Sequence, residues 1–119
     1  MITRDQVEEL FDAVRKGATW SPDEICLWGY FFTDPDRAKL ARAGRVLAGL
    51  GYHVVEILDP DDDDDDDEEE RGRFFLHVER EEHHTVDTLD RRNAELYLLA
   101  EELGLEGYDG MDVGPRRPG

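Results

Sequence analysis

A single cysteine, Cys26, stands in the 119 residues of this chain. That excludes an internal disulfide and a multi-cysteine zinc site, and it suits a reducing compartment. No run approaches the ~20 apolar residues of a membrane span. Met1–Asp5 carries no apolar stretch of signal-peptide length, so the expectation is a soluble cytoplasmic protein. Cations are scarce as well, with 14 Lys and Arg against 31 Asp and Glu and a formal net charge of −17. Binding to DNA or RNA phosphates depends on Lys and Arg, so direct nucleic-acid contact is disfavoured. Basic partners are favoured instead: an Arg-rich protein segment, a nucleic-acid-binding protein or a cation. No P-loop, dinucleotide fingerprint or Ser-His-Asp pattern occurs, which leaves catalysis without support and points to no cofactor.

What the chain does have is an acidic tract. Asp61, Asp62, Asp63, Asp64, Asp65, Asp66, Asp67, Glu68, Glu69 and Glu70 run without interruption, with Asp59 just before them across Pro60. These eleven carboxylates account for −11 of the −17, leaving −6 for the rest. Unpaired carboxylates cannot enter a core, so the tract reads as a loop. One reading makes it a solvated segment that keeps a hairpin soluble. The other makes it electrostatic bait for a basic partner. The spaced ligands and turn glycine of an EF-hand are absent, so calcium would bind only loosely along it.

The segments around the tract carry the fold. Thr3 followed by Gln6 is a capping-box pattern, and Val7, Leu10, Phe11 and Val14 mark one apolar helical face ending near Gly17. Ile25 to Phe32 reads as a strand, with Ile25, Leu27 and Phe31 on one side and Cys26, Trp28, Tyr30 and Phe32 on the other. Both sides are apolar or aromatic, as in a central strand covered twice or one that offers a binding platform. Asp34 as N-cap and Pro35 at the first helical position open a second helix, with Leu40, Ala43, Leu47 and Leu50 as its stripe. Tyr52–Leu58 and Arg73–Val78 read as the strands flanking the tract. On the first, Val54 and Leu58 lie opposite Val55 and Ile57; on the second, Phe74, Leu76 and Val78 alternate with Phe75, His77 and Glu79. A last helix starts at Thr85 or Asp87 and ends at Gly104, and Tyr108–Val113 forms a short final strand.

That order predicts one α+β domain: a ferredoxin-like split β-α-β sandwich with an extra N-terminal helix. Its sheet would be antiparallel, with the first and third strands central. Right-handed crossovers would place both crossover helices on one face. The expected divisions are 1–22 for the first helix and connector, 23–113 for the main domain with its acidic loop at 59–70, and 114–119 for a flexible tail. The first helix could cover an edge or part of the open face; its position does not follow from the sequence.

Candidate sites beyond the tract are few. Trp28, Tyr30 and Phe75 could form an aromatic platform on the sheet, as in RNA-binding domains of this fold, or ordinary core. His77, Glu79, Glu81, Glu82, His83 and His84 look like metal ligands, but the His-Glu-x-x-His helix and the deaminase cysteine pair are missing, so a polar strand end is the simpler account. Cys26 has no activating neighbour in sequence and reads as a buried thiol.

A resemblance then emerges from several short motifs. Trp28-Gly29-Tyr30-Phe31-Phe32, the helix with Ala38, Leu40 and Ala41, Gly51-Tyr52-His53-Val54, and a late helix ending Leu-Ala-Glu-Glu-Leu-Gly before Tyr108-Asp109-Gly110 together resemble the RraB family, regulators of ribonuclease E activity. The likeness runs from about Trp28 to Asp112. Met111 stands where that family usually has Trp. The resemblance implies a ferredoxin-like, non-catalytic protein that binds ribonuclease E, chiefly its Arg-rich scaffold region, and restrains RNA cleavage. Its partner contacts would be Asp61–Glu70 at long range, with Trp28, Tyr30 and Phe75 at short range. Two alternatives stand beside it: an immunity or nucleic-acid-mimic protein that neutralises a basic nuclease or DNA-binding protein, and a small enzyme or metal-binding domain using His77, Glu79 and His83.

If the tract is an insertion in a hairpin, the fold stands without it. A chain lacking Asp61–Glu70 should fold, with an equal or higher midpoint in thermal denaturation because self-repulsion is reduced. Loss of the cooperative transition would show that the tract holds structure.

Overall fold

The computed structural model describes residues 2–59 and 73–115; the acidic tract and the end of the tail lie outside the described residues. Along the chain come α1 (Arg4–Gly17), β1 (Cys26–Asp34), α2 (Arg37–Gly49), β2 (His53–Leu58), β3 (Phe74–Glu82), α3 (Val86–Glu102) and β4 (Gly107–Gly114). The strands form one antiparallel sheet in the order β2-β3-β1-β4. β1 and β3 are central, as expected, and the class is α+β.

The capping box at α1 is present: the Thr3 side chain accepts from the Gln6 N–H, and the Gln6 side chain accepts from the Thr3 N–H. Thr85 caps α3 in the same way with Thr88 as its partner. The cap of α2 is Asp36 and not Asp34. Asp34 still belongs to β1, where it pairs with Phe74 and is buried. Its carboxylate accepts from the backbone N–H groups of Asp36 at 2.7 Å and Glu106 at 2.9 Å, tying the end of β1 to the entrance of β4. After α2 the chain turns through Gly51 at φ +101°, a conformation open to glycine and strained for other residues.

Alternation along β1 sends Cys26, Trp28, Tyr30 and Phe32 into the core with Leu76 and Val78 of β3. Leu40, Ala43 and Leu47 of α2 and Leu89, Leu96 and Ala100 of α3 close that core. α1 joins the same layer: it packs against α3, and Phe11 lies on Trp28 with ring centroids 5.8 Å apart. The Ile2 N–H donates to the Tyr97 hydroxyl at 2.7 Å, and Arg4 pairs with Asp87. The first helix therefore lies off the open face and toward the β4 edge of the helical layer, where Ile2 and Gln6 line one pocket with Tyr108 and Asp109. Its apolar stripe is wanted over Trp28, beyond the end of α3's cover.

Two bulges reset the faces. One extra residue, Val55, interrupts the pairing of β2 with β3 between Val54 and Glu56. Val54 and Ile57 thereby reach the core face together, which strict alternation would forbid, while Leu58 turns outward. The second bulge lies between β1 and β4, where Asp109 has no partner across from the step between Phe31 and Phe32. Bulges add twist and re-aim side chains in this way.

Phe11 is the main plug between α1 and the sheet. Phe11→Ala should cost about 3–4 kcal/mol in urea denaturation, with α1 losing amide protection before the sheet does. A cost under ~1 kcal/mol would mean that α1 is not part of the common core.

Candidate functional site

All three described helices lie on one side of the sheet, so none of them covers the opposite face, although Thr33 and Glu79 on it are buried among their neighbours. The register lays that face out as rows running across β2, β3, β1 and β4. One row is Leu58, Phe75, Thr33 and Gly107; the next is Glu56, His77, Phe31 and Gly110; the next is His53, Glu79, Gly29 and Asp112. A last, shorter row holds Glu81, Leu27 and Gly114. The face thus mixes four carboxylates with two Phe rings. Phe31 and His77 stack almost in parallel, with centroids 4.4 Å apart and planes 9° from each other. Gly29 makes room for their neighbours: a Cβ there would come within 2.3 Å of an Asp112 carboxylate oxygen and 2.9 Å of His77 Nε2.

The platform expected from Trp28, Tyr30 and Phe75 does not assemble. Trp28 and Tyr30 are wholly buried beneath the helices, while Phe75 sits across the sheet on the open face. The half-buried set is the other one, Leu27 and Phe31, because apolar helical stripes claim one face of β1 and no described helix claims the second. Trp28 is held by ring contacts with Phe11 and His84, and its indole N–H has no acceptor among the described residues. The acidic tract, Asp61–Glu70, lies outside the described residues; the strands that lead into it are paired up to Leu58 and Phe75.

The Tyr108-Asp109-Gly110 corner is a structural device. Tyr108 turns inward and donates to Asn93 Oδ1 at 2.7 Å, packing against Phe32 and Tyr97. Asp109 is the bulged residue, and Gly110 returns to the open face. Met111 faces the core, where its sulfur accepts from Asn93 Nδ2 at 3.3 Å. Burial pushes the Tyr108 hydroxyl well above the usual phenol range, so it remains a donor.

The histidine-rich segment divides. His77 is on the open face, His83 is exposed, and His84 is buried on the helical side. Among the described residues no group of three His, Cys, Asp or Glu side chains is placed to hold a metal. His84 belongs instead to a polar cluster centred on Glu82. One Glu82 oxygen accepts from Tyr30 at 2.9 Å and lies 2.9 Å from His84 Nε2; the other accepts from Arg92 at 2.8 Å. Arg92 also donates to the Tyr52 hydroxyl at 2.8 Å, and His84 Nδ1 meets Thr88 at 3.0 Å. Burial alone would raise the Glu82 pKa, but the bonds from His84 and Tyr30 and the charge of Arg92 outweigh it and hold the carboxyl at about 2. Cys26 is buried and donates weakly to the Ser21 and Glu24 carbonyls; burial, with Glu24 and Asp23 nearby, raises its pKa, so it is no activated nucleophile.

Sequence reasoning missed Glu82, Arg92 and Asn93 as a polar framework, half-buried at the first two and buried at the third, and Phe31, Asp112 and Gly110 as open-face residues. The inward-outward period of each strand was visible. The relation between strands was not, because both bulges shift it.

A family model described as RraB, regulator of ribonuclease activity B, matches residues 4–113. The match begins in α1 and so takes in the helix as well as the sheet. A search of curated proteins finds no match.

Glu82 is ionised and paired in the folded state with a pKa depressed from 4.5 to about 2. Its contribution to stability is therefore complete above the unfolded value and is lost as pH falls through the folded one. Glu82→Gln should lower stability at pH 7 by about 2–3 kcal/mol, and the gap to the wild type should shrink as pH drops from about 4.5 toward 2. Urea denaturation at several pH values measures this; a gap that does not depend on pH would show that the carboxylate charge is not what holds the cluster.

Proposed function

The chain belongs to the RraB family, and from that premise we propose that it is a non-catalytic cytoplasmic regulator that restrains RNA cleavage by binding a basic protein surface. The partner to which the family resemblance points is ribonuclease E, through its Arg-rich scaffold region. Occupying that region would exclude RNA or other proteins that use it. The strand order and the helices on one side support the finer reading of the fold as the ferredoxin-like split β-α-β sandwich, with α1 added.

The observation that carries this reading is how charge is distributed. Glu56, Glu81 and Asp112 are exposed on the sheet face away from the helices, with Glu79 buried among them, and the hairpin that contributes Glu56, Glu79 and Glu81 also carries Asp61–Glu70. α2 carries Arg37, Lys39, Arg42 and Arg45, all exposed, and no carboxylate, whereas α1 and α3 carry charges of both signs. A basic partner meeting the molecule is drawn to the sheet side and the tract and away from α2. In this division of labour the tract gives long-range attraction and the sheet face gives contact. Trp28 and Tyr30 shape that face from below and do not touch the partner.

The reading is tested by replacing Asp61–Glu70 with a Gly/Ser linker and measuring binding to the basic scaffold of the host ribonuclease at two salt concentrations. A loss of about tenfold at low salt, shrinking as salt screens the field over ~8 Å, is expected. Unchanged affinity removes the tract from the mechanism. No binding by the wild type, with tight capture of a different basic nuclease or DNA-binding protein, would favour the immunity reading.

A further inference from the structure

The uncovered face has a floor as well as side chains. β4 places Gly107, Gly110 and Gly114 on it, at every open-face position except Asp112. None of the three has a positive φ, and a Cβ built on any of them would meet nothing within 4 Å. The backbone conformation does not require glycine here, and glycine weakens a strand. A glycine kept in a strand without a conformational reason leaves room for another backbone to come close. The result is a shallow trench along β4, broken by Asp112 and walled on its β1 side by Phe31.

We infer that this trench is a docking site for an extended, arginine-bearing protein segment, with one guanidinium lying on the Phe31–His77 stack. This deepens the proposed function and rests on its reading of the partner as a basic protein. A guanidinium is planar and weakly hydrated, so it stacks on a flat ring surface while its edge hydrogen-bonds to carboxylates; an ammonium does neither as well. Phe31 supplies such a surface: His77 stacks in parallel on its β3 side, which leaves the other ring face toward Gly110 of β4. Asp112 holds a carboxylate beside the His77 edge over Gly29, and Glu56 stands opposite His77 in the strand register on its other side. Charge selects the occupant. A second copy of this chain would bring the same carboxylates against these, and a nucleic-acid backbone would bring phosphates; both are repelled.

Two short synthetic peptides of equal charge, one with Arg and one with Lys between Gly and Ser, test this by fluorescence anisotropy at about 0.15 M salt. The arginine peptide should bind about three- to fivefold more tightly. The preference should survive in the chain whose tract is a Gly/Ser linker, because it is a short-range effect. Gly110→Val puts a side chain into the trench at a strand position that tolerates one; it should weaken the arginine peptide about tenfold with an unchanged melting temperature. Should that variant fail to fold, Phe31→Ser and Asp112→Asn carry the test, each expected to erase most of the preference for Arg over Lys. Equal affinity for the two peptides, no binding of either, or wild-type binding by a folded Gly110→Val chain would overturn the inference. The ribonuclease scaffold separates this from the functional reading. If it binds wild type and Gly110→Val alike, the trench is wrong and the regulator reading stands. If the arginine peptide fills the trench but the scaffold does not bind, the trench stands and the partner is wrong.

Discussion

Side chains leave the central strand β1 alternately toward the helices and toward water, and the rest of the molecule follows from that division. Cys26, Trp28, Tyr30 and Phe32 are apolar enough to gather three helices on one side. A single layer of helices then completes the core, at roughly 1.5–3 kcal/mol for each large side chain fully buried. Because the helices are all used there, none is left for the other side. Leu27 and Phe31 remain at a surface that a sheet of this kind would ordinarily make polar.

The helical side contains a second constraint, which is polar. Glu82 ends β3 directly beneath α3, where a lone carboxylate would be strongly disfavoured. Tyr30, His84 and Arg92 supply it with donors from β1, from the loop before α3 and from α3 itself. Arg92 and Arg80 also lie over the Tyr52 ring, at 5.7 and 5.4 Å from its centroid. Such a cluster is directional where apolar packing is not. It fixes how α3 sits along the sheet, and Asn93, one residue on, extends the same control to β4 through Tyr108 and Met111.

Much of this arrangement was legible from local pattern. The capping box at Thr3, the apolar stripes, the hairpin around the tract and the central position of β1 all rest on interactions within a few residues or on a period that does not depend on partners. What stayed hidden depends on partners. Phe75 joined Trp28 and Tyr30 in the sequence reading because all three are aromatic strand residues, yet register puts Phe75 on the far side. Asp34 looked like a cap because it precedes Pro35; its burial against Glu106 became visible only once β4 was beside it. The place of α1 turned on a contact between Phe11 and Trp28, and nothing in either segment alone announces it. Val55 carries no glycine or proline signal that would have marked it as a bulge, and the Gly110 beside Asp109 signals a turn as readily as a bulge.

The pairing of Leu58 with Phe75 holds the two ends of the tract together by the strands' own hydrogen bonds. Lengthening a connection between such fixed ends costs only ~0.6 kcal/mol for each doubling. Length and stability are therefore almost uncoupled at this one point of the chain. Related sequences could carry short or long acidic insertions here on an unchanged scaffold, so that the strength of the field is set by counting residues. The hairpin would act as a socket for a dial of charge, one that mutation can turn by small steps without passing through an unfolded intermediate.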